Sequence, residues 1–317
     1  MRRCIILLTL VGTLTALHLS FALADPDPVN DGAAAGEQTK EIKTGYANVN
    51  GAKFYYEELG TGPVLVMVHG GYIDRRMWDA QFEVLAEHFR VIRYDARRHG
   101  LTKARPGPYT DHDDLHALLK HLGVEKACVM GLSLGGRIVI DFATTYPEMV
   151  AALIPVSSGI SGWRFDSPEM ATHFGEIGAA FRSGDVDSIV EVFQRAWTDG
   201  PKRTPEQVDP KVRERVRKMA HRNISMGRGD SQSGLPDPPA TERLGKIRAP
   251  TLVVVGDLDM PVIHEIADLM VTEIPGAQRA VISGAAHMVN MEKPAEFNKV
   301  VLEFLSEKST ASRRSKD

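Results

Sequence analysis

Gly131-Leu132-Ser133-Leu134-Gly135 decides the reading of this chain. The run Ala127-Cys128-Val129-Met130 before it is apolar and of strand length, and Gly136-Arg137-Ile138-Val139-Ile140 after it reads as a helix. Strand, tight turn and helix follow one another, with a serine at the apex and glycines on either side. A turn this sharp forces unusual backbone angles and needs small neighbours, because strand and helix must approach closely. The hydroxyl is held out of the sheet above a helix N-terminus, the pattern of a nucleophile elbow. Glycine and serine are common in loops, so the pentapeptide takes its meaning from the strand before it and the helix after it.

Outward from this turn, apolar runs of strand length recur at 64–68, 91–94, 127–130, 151–156, 251–255 and 279–282. Most are continuous rather than alternating, so both faces of their sheet should be covered. Amphipathic stretches at 77–89, 113–122 (with Thr110 as N-cap), 137–146, 262–272 and 295–305 alternate with them. The alternation predicts an α/β fold with βαβ crossovers and a mostly parallel central sheet flanked by helices. Asn50-Gly51 predicts a hairpin that opens the sheet. From 159 to about 244 the strands stop. Segments 167–181, 185–197 and 210–222 read as helices, with Val186, Ile189, Val190, Phe193 and Trp197 on one face. A loop rich in Gly, Asp, Ser and Pro follows over 227–239. The core is therefore expected over 42–159 and 245–306, with an inserted helical cap over 160–244 that is too short to fold alone.

The 317 residues are 43% hydrophobic and 25% charged, as in an ordinary soluble globular protein, and a net charge of −3 leaves no footprint for a nucleic-acid partner. Arg2 and Arg3 precede an apolar run to Leu23, then Ala22-Leu23-Ala24 and Asp25-Pro26-Asp27-Pro28. This layout predicts a signal peptide over 1–24, cut after Ala24, and a secreted or periplasmic mature chain with no stable membrane anchor. Residues 25–41 read as a flexible leader and 307–317 as a flexible tail. Cys4 would leave with the signal, so Cys128 has no partner and reads as a small buried hydrophobe.

A serine hydroxyl is a poor nucleophile near neutral pH and needs a base, which in turn needs an orienting acid. The run Thr251-Leu252-Val253-Val254-Val255 leads into Gly256-Asp257-Leu258-Asp259, so two aspartates compete for the acid. Ala280-Val281-Ile282 leads into Ser283-Gly284-Ala285-Ala286-His287, which supplies the base. Loops at strand C-termini are where open α/β sheets place their sites. The order Ser, Asp, His is the one an elbow fold requires, and the Leu134 N–H behind the serine is one donor for a developing oxyanion.

HGG at 69–71, YDARRHG at 94–100, GLSLGG at 131–136, GDLD at 256–259 and GAAH at 284–287 together resemble the α/β-hydrolase family, over about 43–305 with the cap included. The resemblance implies that the acid of the G-x-x-D pattern is Asp259, leaving Asp257 in the loop, and that His287 is the base. It implies the Gly71 N–H as the second oxyanion donor, with Tyr72 next and His69 structural. Tyr72 stands where relatives with HGGG have glycine and those with HG-x-P have proline. It shapes the acyl pocket or donates a hydrogen bond, or else only fills surface. Arg98 replaces a glycine of the family's R-G-H-G turn. The implied activity is hydrolysis of a small carboxylic ester or lactone through an acyl-enzyme on Ser133, without cofactor or metal. Enzymes that hydrolyse C–C bonds and cofactor-free haloperoxidases share the same triad; a non-catalytic binding protein on this fold is the remote alternative.

Tyr72, Trp163, Phe174, Trp197 and Met288 are the candidate pocket residues, with Phe165, Phe181 and Met226 as further cap aromatics and methionine. His112 and His116 stand at i and i+4 but lack the glutamate of a zincin helix, and so read as solvated. The basic stretch 211–222 reads as a solvated face rather than an anion site.

Overall fold

The computed structural model describes residues 41–227 and 233–314, with side chains to 307. The expected signal peptide, and the expected leader up to residue 40, lie outside the described residues.

The sheet begins with the hairpin β1 (Lys43–Val49) and β2 (Ala52–Leu59), whose turn residues Asn50 and Gly51 both take positive φ (48° and 71°), as a tight hairpin with the sheet's twist requires. The further strands are β3 (Val64–Val68), β4 (Arg90–Tyr94), β5 (Ala127–Leu132), β6 (Val150–Val156), β7 (Leu252–Gly256) and β8 (Gln278–Ile282). Their order is β1-β2-β4-β3-β5-β6-β7-β8, and Lys103–Ala104 pairs beside β2. β1, β2 and β4 pair antiparallel; from β4 to β8 every pairing is parallel. A two-residue parallel ladder joins Tyr109–Thr110 to Ser233–Gly234.

The helices are α1 (Asp79–Ala86), α2 (Asp111–His121), α3 (Leu134–Thr145), α4 (Pro168–Ser183), α5 (Val186–Gln194), α6 (Pro210–Ser225), α7 (Pro261–Glu273), α8 (Val289–Glu292) and α9 (Pro294–Arg314). α9 carries the chain past 306 to 314, where the sequence suggested a flexible tail; 315–317 lie outside the described residues. No described helix is long and apolar enough to cross a membrane.

Successive strand residues point to opposite faces, and both faces are buried. Val66, Val68, Val129, Val253 and Val255 pack with Leu115, Ile138, Phe142 and Ile266 on one side. Leu65, Met67, Met130, Leu132 and Val254 pack with Trp78, Phe82 and Phe297 on the other. This two-sided burial is why the strands read as continuous apolar runs.

α4, α5 and α6 fall between β6 and β7. Ser167 caps α4 by accepting the Met170 N–H (3.3 Å), Pro168 opens it, and Gly184 at φ 72° closes it. Ile189, Val190 and Phe193 of α5 and Val216, Met219 and Ala220 of α6 join the apolar cluster that holds Met67 and Leu132. At about 1.5–3 kcal/mol for each fully buried aliphatic or aromatic side chain, these residues fasten α5 and α6 to the sheet. Polar links add to this. Asn223 of α6 accepts the Gly100 N–H (2.7 Å) and donates to Asp74 (3.3 Å), Arg215 pairs with Asp79, and Arg203 pairs with Glu292 (2.6 Å).

Candidate active site

Ser133 follows β5 directly and caps α3, at φ 57° and ψ −111°. A non-glycine residue held there stores roughly 1–3 kcal/mol of backbone strain. Three hydrogen bonds hold it: Ser133 N–H to the Val156 carbonyl (3.0 Å), and the Gly159 (3.2 Å) and Arg137 (3.0 Å) N–H groups to the Ser133 carbonyl. The flanking glycines are steric requirements. A Cβ on Gly131 would lie 2.2 Å from the Gly135 carbonyl oxygen, and one on Gly135 would lie 2.2 Å from the Val68 carbonyl oxygen. Leu134 opens α3, so its N–H has no intrahelical acceptor and stands beside the serine.

The loop after β3 offers three consecutive N–H groups. That of Gly70 reaches Met77 Sδ (3.3 Å) and that of Tyr72 reaches His99 Nε2 (3.3 Å). Only the Gly71 N–H makes no bond to a described residue. Tyr72 takes the left-handed angles that glycine would take freely (φ 61°) and packs on Phe193 (5.5 Å) and Phe181 (6.1 Å). His69 donates through Nδ1 to the Gly70 carbonyl (2.8 Å) and accepts the Ala96 N–H at Nε2 (2.9 Å), a scaffold role with no nitrogen to spare. Arg97 makes a two-pronged pair with Asp114 (2.7 and 2.9 Å), and Arg98, where the resemblance implies a glycine, takes a left-handed φ of 69°. Asp74 caps the 3₁₀ turn 75–78. Its burial favours the neutral acid, but the two-pronged pair with Arg76 (2.8 and 2.7 Å) prevails and holds the carboxyl down to about 2.

Asp259 and His287 follow β7 and β8 and are each 2% exposed. His287 Nδ1 lies 3.1 and 2.9 Å from the two Asp259 oxygens, and Asp259 also accepts the Met260 N–H (2.8 Å). A ring nitrogen facing a carboxylate carries the proton, so the neutral ring accepts at Nε2. That Nε2 is buried and has no partner among the described residues. Asp257 instead takes the Ser283 hydroxyl and the Gly284 N–H (2.7 Å), a turn role. Glu292 fixes the loop before His287 by accepting the Ala286 N–H (2.9 Å).

A cavity of about 290 Å³ joins these groups. Ser133, His287, Gly71, Leu134, Tyr72, Phe174, Trp197 and Met288 all line it, while Asp259 lies behind His287. Trp163 does not line it. It sits in the return from β6 and packs against the cluster of Ile160 and Ala240. Phe165 meets Phe174 edge-to-face (6.4 Å, 87°) and does not line the cavity, and Met226 is half exposed. Sequence reasoning missed His173, Ile177 and Phe193, which also line the cavity. Phe193 shares the apolar face of α5, the one signal that pointed to it. Trp197 sits in a π turn (Arg195–Asp199), its ring 4.6 Å from that of His287. Inserted turns of this kind often mark functional sites.

No arginine, lysine, aspartate or glutamate is among the described residues lining the cavity. The basic stretch of α6 is spent elsewhere: Arg213 on Asp199 and Glu191, Arg217 on Asp187, and Lys218 on Glu214. His112 and His116, expected to be solvated, are packed instead: His112 is buried and His116 stacks on Tyr146 (4.1 Å), and no group of metal-ligating side chains comes together among the described residues. Burial pushes the Cys128 thiol up to about 11, so it stays protonated and apolar.

Residues 63–294 match the family model of the alpha/beta hydrolase fold. The chain is 26% identical to the 2-hydroxy-6-oxononadienedioate/2-hydroxy-6-oxononatrienedioate hydrolase of Burkholderia vietnamiensis, covering 84% of this chain and 97% of that one. It is 30% identical to the solved thermophilic esterase of Thermogutta terrifontis, with a TM-score of 0.66 and coverage of 85% and 98%. A structure described as an N-acyl homoserine lactone degrading enzyme is 25% identical, with a TM-score of 0.65 and coverage of 82% and 99%. The chain belongs to the α/β-hydrolase fold family, and these relatives in it are hydrolases.

Proposed function

We propose that the protein hydrolyses an uncharged carboxylic ester or lactone through an acyl-enzyme on Ser133. One observation carries the reading: Ser133 and the buried, unpartnered Nε2 of an Asp259-oriented His287 border the same cavity, beside the free Gly71 and Leu134 N–H groups. Ser133 Oγ attacks the substrate carbonyl while His287 Nε2 takes its proton. The carbonyl oxygen becomes an oxyanion, and the Gly71 and Leu134 N–H groups donate to it; one such donor is worth roughly 3 kcal/mol of barrier. The intermediate collapses, the C–O bond breaks, and His287 returns the proton to the leaving alkoxide. Water, deprotonated by His287, then releases the acid and restores Ser133. Asp259 holds the proton on Nδ1 and stabilises the imidazolium.

The apolar lining selects the substrate class. A dioate, as in the name of the Burkholderia enzyme, would bring carboxylates into a cavity with no described cation on its wall, a costly burial of unpaired charge. An ester such as the Thermogutta enzyme's or a lactone such as the homoserine lactone enzyme's brings none. The N-terminal stretch supports export of the mature chain. The test is a panel of neutral p-nitrophenyl esters and lactones beside a vinylogous C–C substrate bearing carboxylates. Turnover of the neutral compounds, lost in Ser133→Ala, is expected; turnover of the charged compound alone would overturn the reading.

A further inference from the structure

Among the described residues, the cap sends one ionisable side chain into the cavity, and the ester chemistry makes no use of it. His173 of α4 is 9% exposed and lines the cavity next to Phe174 and Ile177. Its Nε2 accepts the indole N–H of Trp197 at 3.2 Å, with the rings edge-on at 89° and 5.4 Å apart. Trp197 in turn lies against the ring of His287 at 4.6 Å. A neutral imidazole that accepts at Nε2 carries its proton on Nδ1. Burial lowers the pKa of His173, against the opposing pull of Glu176, and so keeps the ring neutral. No described residue takes the Nδ1–H. The result is an uncharged imidazole with one N–H to offer, on a cavity wall lined mainly by apolar side chains, and a few placed polar groups are how small-molecule sites obtain orientation and specificity.

We propose that His173 is a hydrogen-bond donor subsite for a second acceptor oxygen, a ketone or ether, on an uncharged ester or lactone. The proposal rests on the ester-or-lactone reading and adds the part of the substrate that the cap covers. His173 and His287 are separated by no more than the 5.4 and 4.6 Å ring spacings laid end to end. With bonds of about 1.5 Å, that limit places the second oxygen no more than about seven bonds from the scissile carbonyl. The Trp197 bond fixes the ring's tautomer and orientation, so the donor is in place before the substrate arrives and little order is lost on binding.

Two matched pairs test this: the p-nitrophenyl esters of pentanoate and 4-oxopentanoate, and of hexanoate and 5-oxohexanoate. The readout is the ratio of kcat/KM, oxo over plain, in each enzyme; a variant that merely folds poorly lowers both members alike. The wild type is expected to favour the oxo ester about tenfold in at least one pair, one good hydrogen bond's worth. His173→Phe should bring the ratio down to that of uncatalysed hydrolysis. His173→Asn, which places an amide N–H near the Nδ1 position, should restore part of it. A wild-type ratio no greater than the uncatalysed one in both pairs, or a preference that survives His173→Phe, would overturn the proposal. Calorimetric binding of the same esters to Ser133→Ala separates it from the parent reading. Selective, His173-dependent binding without p-nitrophenol release by the wild type upholds the subsite and overturns ester hydrolysis. Unselective binding overturns the subsite.

Discussion

Glu292→Gln should destabilise the protein by about 3 kcal/mol, far more than a surface charge would. Glu292 Oε2 lies 2.6 Å from Arg203 Nη1, and the two side chains are only 6% and 10% exposed. The pair joins two sides of the site. Glu292 holds the Ala286 N–H, one residue before His287, and Arg203 donates to the carbonyls of Thr198 (2.9 Å) and Asp199 (2.8 Å) at the end of the turn that carries Trp197. At this spacing the Coulomb attraction is about 6 kcal/mol with an effective dielectric constant near 20, and it offsets the desolvation of both ions. Glutamine removes the attraction and leaves the guanidinium buried. Losing one partner of such a pair costs about 3–5 kcal/mol. The two carbonyls that still serve Arg203 set the expectation at the lower end. Urea unfolding followed by fluorescence gives the difference from midpoint and slope. Pairing Glu292→Gln with Arg203→Met removes the stranded charge and should recover most of the loss, a strong coupling in a double-mutant cycle. A single-variant cost below about 1 kcal/mol, or costs that simply add in the double variant, would refute the reasoning.

Asp74→Asn should cost about 2 kcal/mol at pH 7. The folded-state pKa of Asp74, about 2, lies below its ordinary 3.8, so its contribution is full above 3.8 and vanishes as pH falls through about 2. Urea midpoints at descending pH should show the gap closing across that window, and a gap independent of pH would contradict the assignment. Gly135→Ala, with a Cβ 2.2 Å from the Val68 carbonyl, should lose at least about 2 kcal/mol and most activity, because β3 and the oxyanion loop must move; an unchanged melting temperature would count against the close approach. Produced with its first 24 residues in an exporting bacterium, the secreted chain should begin at Asp25 on N-terminal sequencing; a mature chain that keeps residues 1–24 would contradict the signal peptide.

The elbow, the strands and the family were legible because each has a local cause. Continuous apolar runs mark two-sided burial, and Gly131 and Gly135 mark a clash that any side chain would create. What sequence left open depends on distant partners. Asp257 and Asp259 compete on the residues alone; the resemblance points to Asp259, and the physical difference is its meeting with His287 across β7 and β8 while Asp257 serves a turn. Tyr72 was visible as a departure from glycine, but its N–H is taken by His99, 27 residues away. Trp163 and Trp197 are both cap aromatics, and which one faces the cavity follows from a π turn and a core contact that no spacing reveals. His173 is one of eleven histidines and belongs to no motif. Its role arises only where α4 meets Trp197.

The central claim is that Ser133 becomes acylated. Rapid acid quench during the first turnover of p-nitrophenyl butyrate, followed by peptide mass spectrometry, tests it directly. One butyryl group on the peptide that contains Ser133, absent in Ser133→Ala, is the result expected. Turnover without any acylated peptide, or the same modification in the variant, would contradict the account.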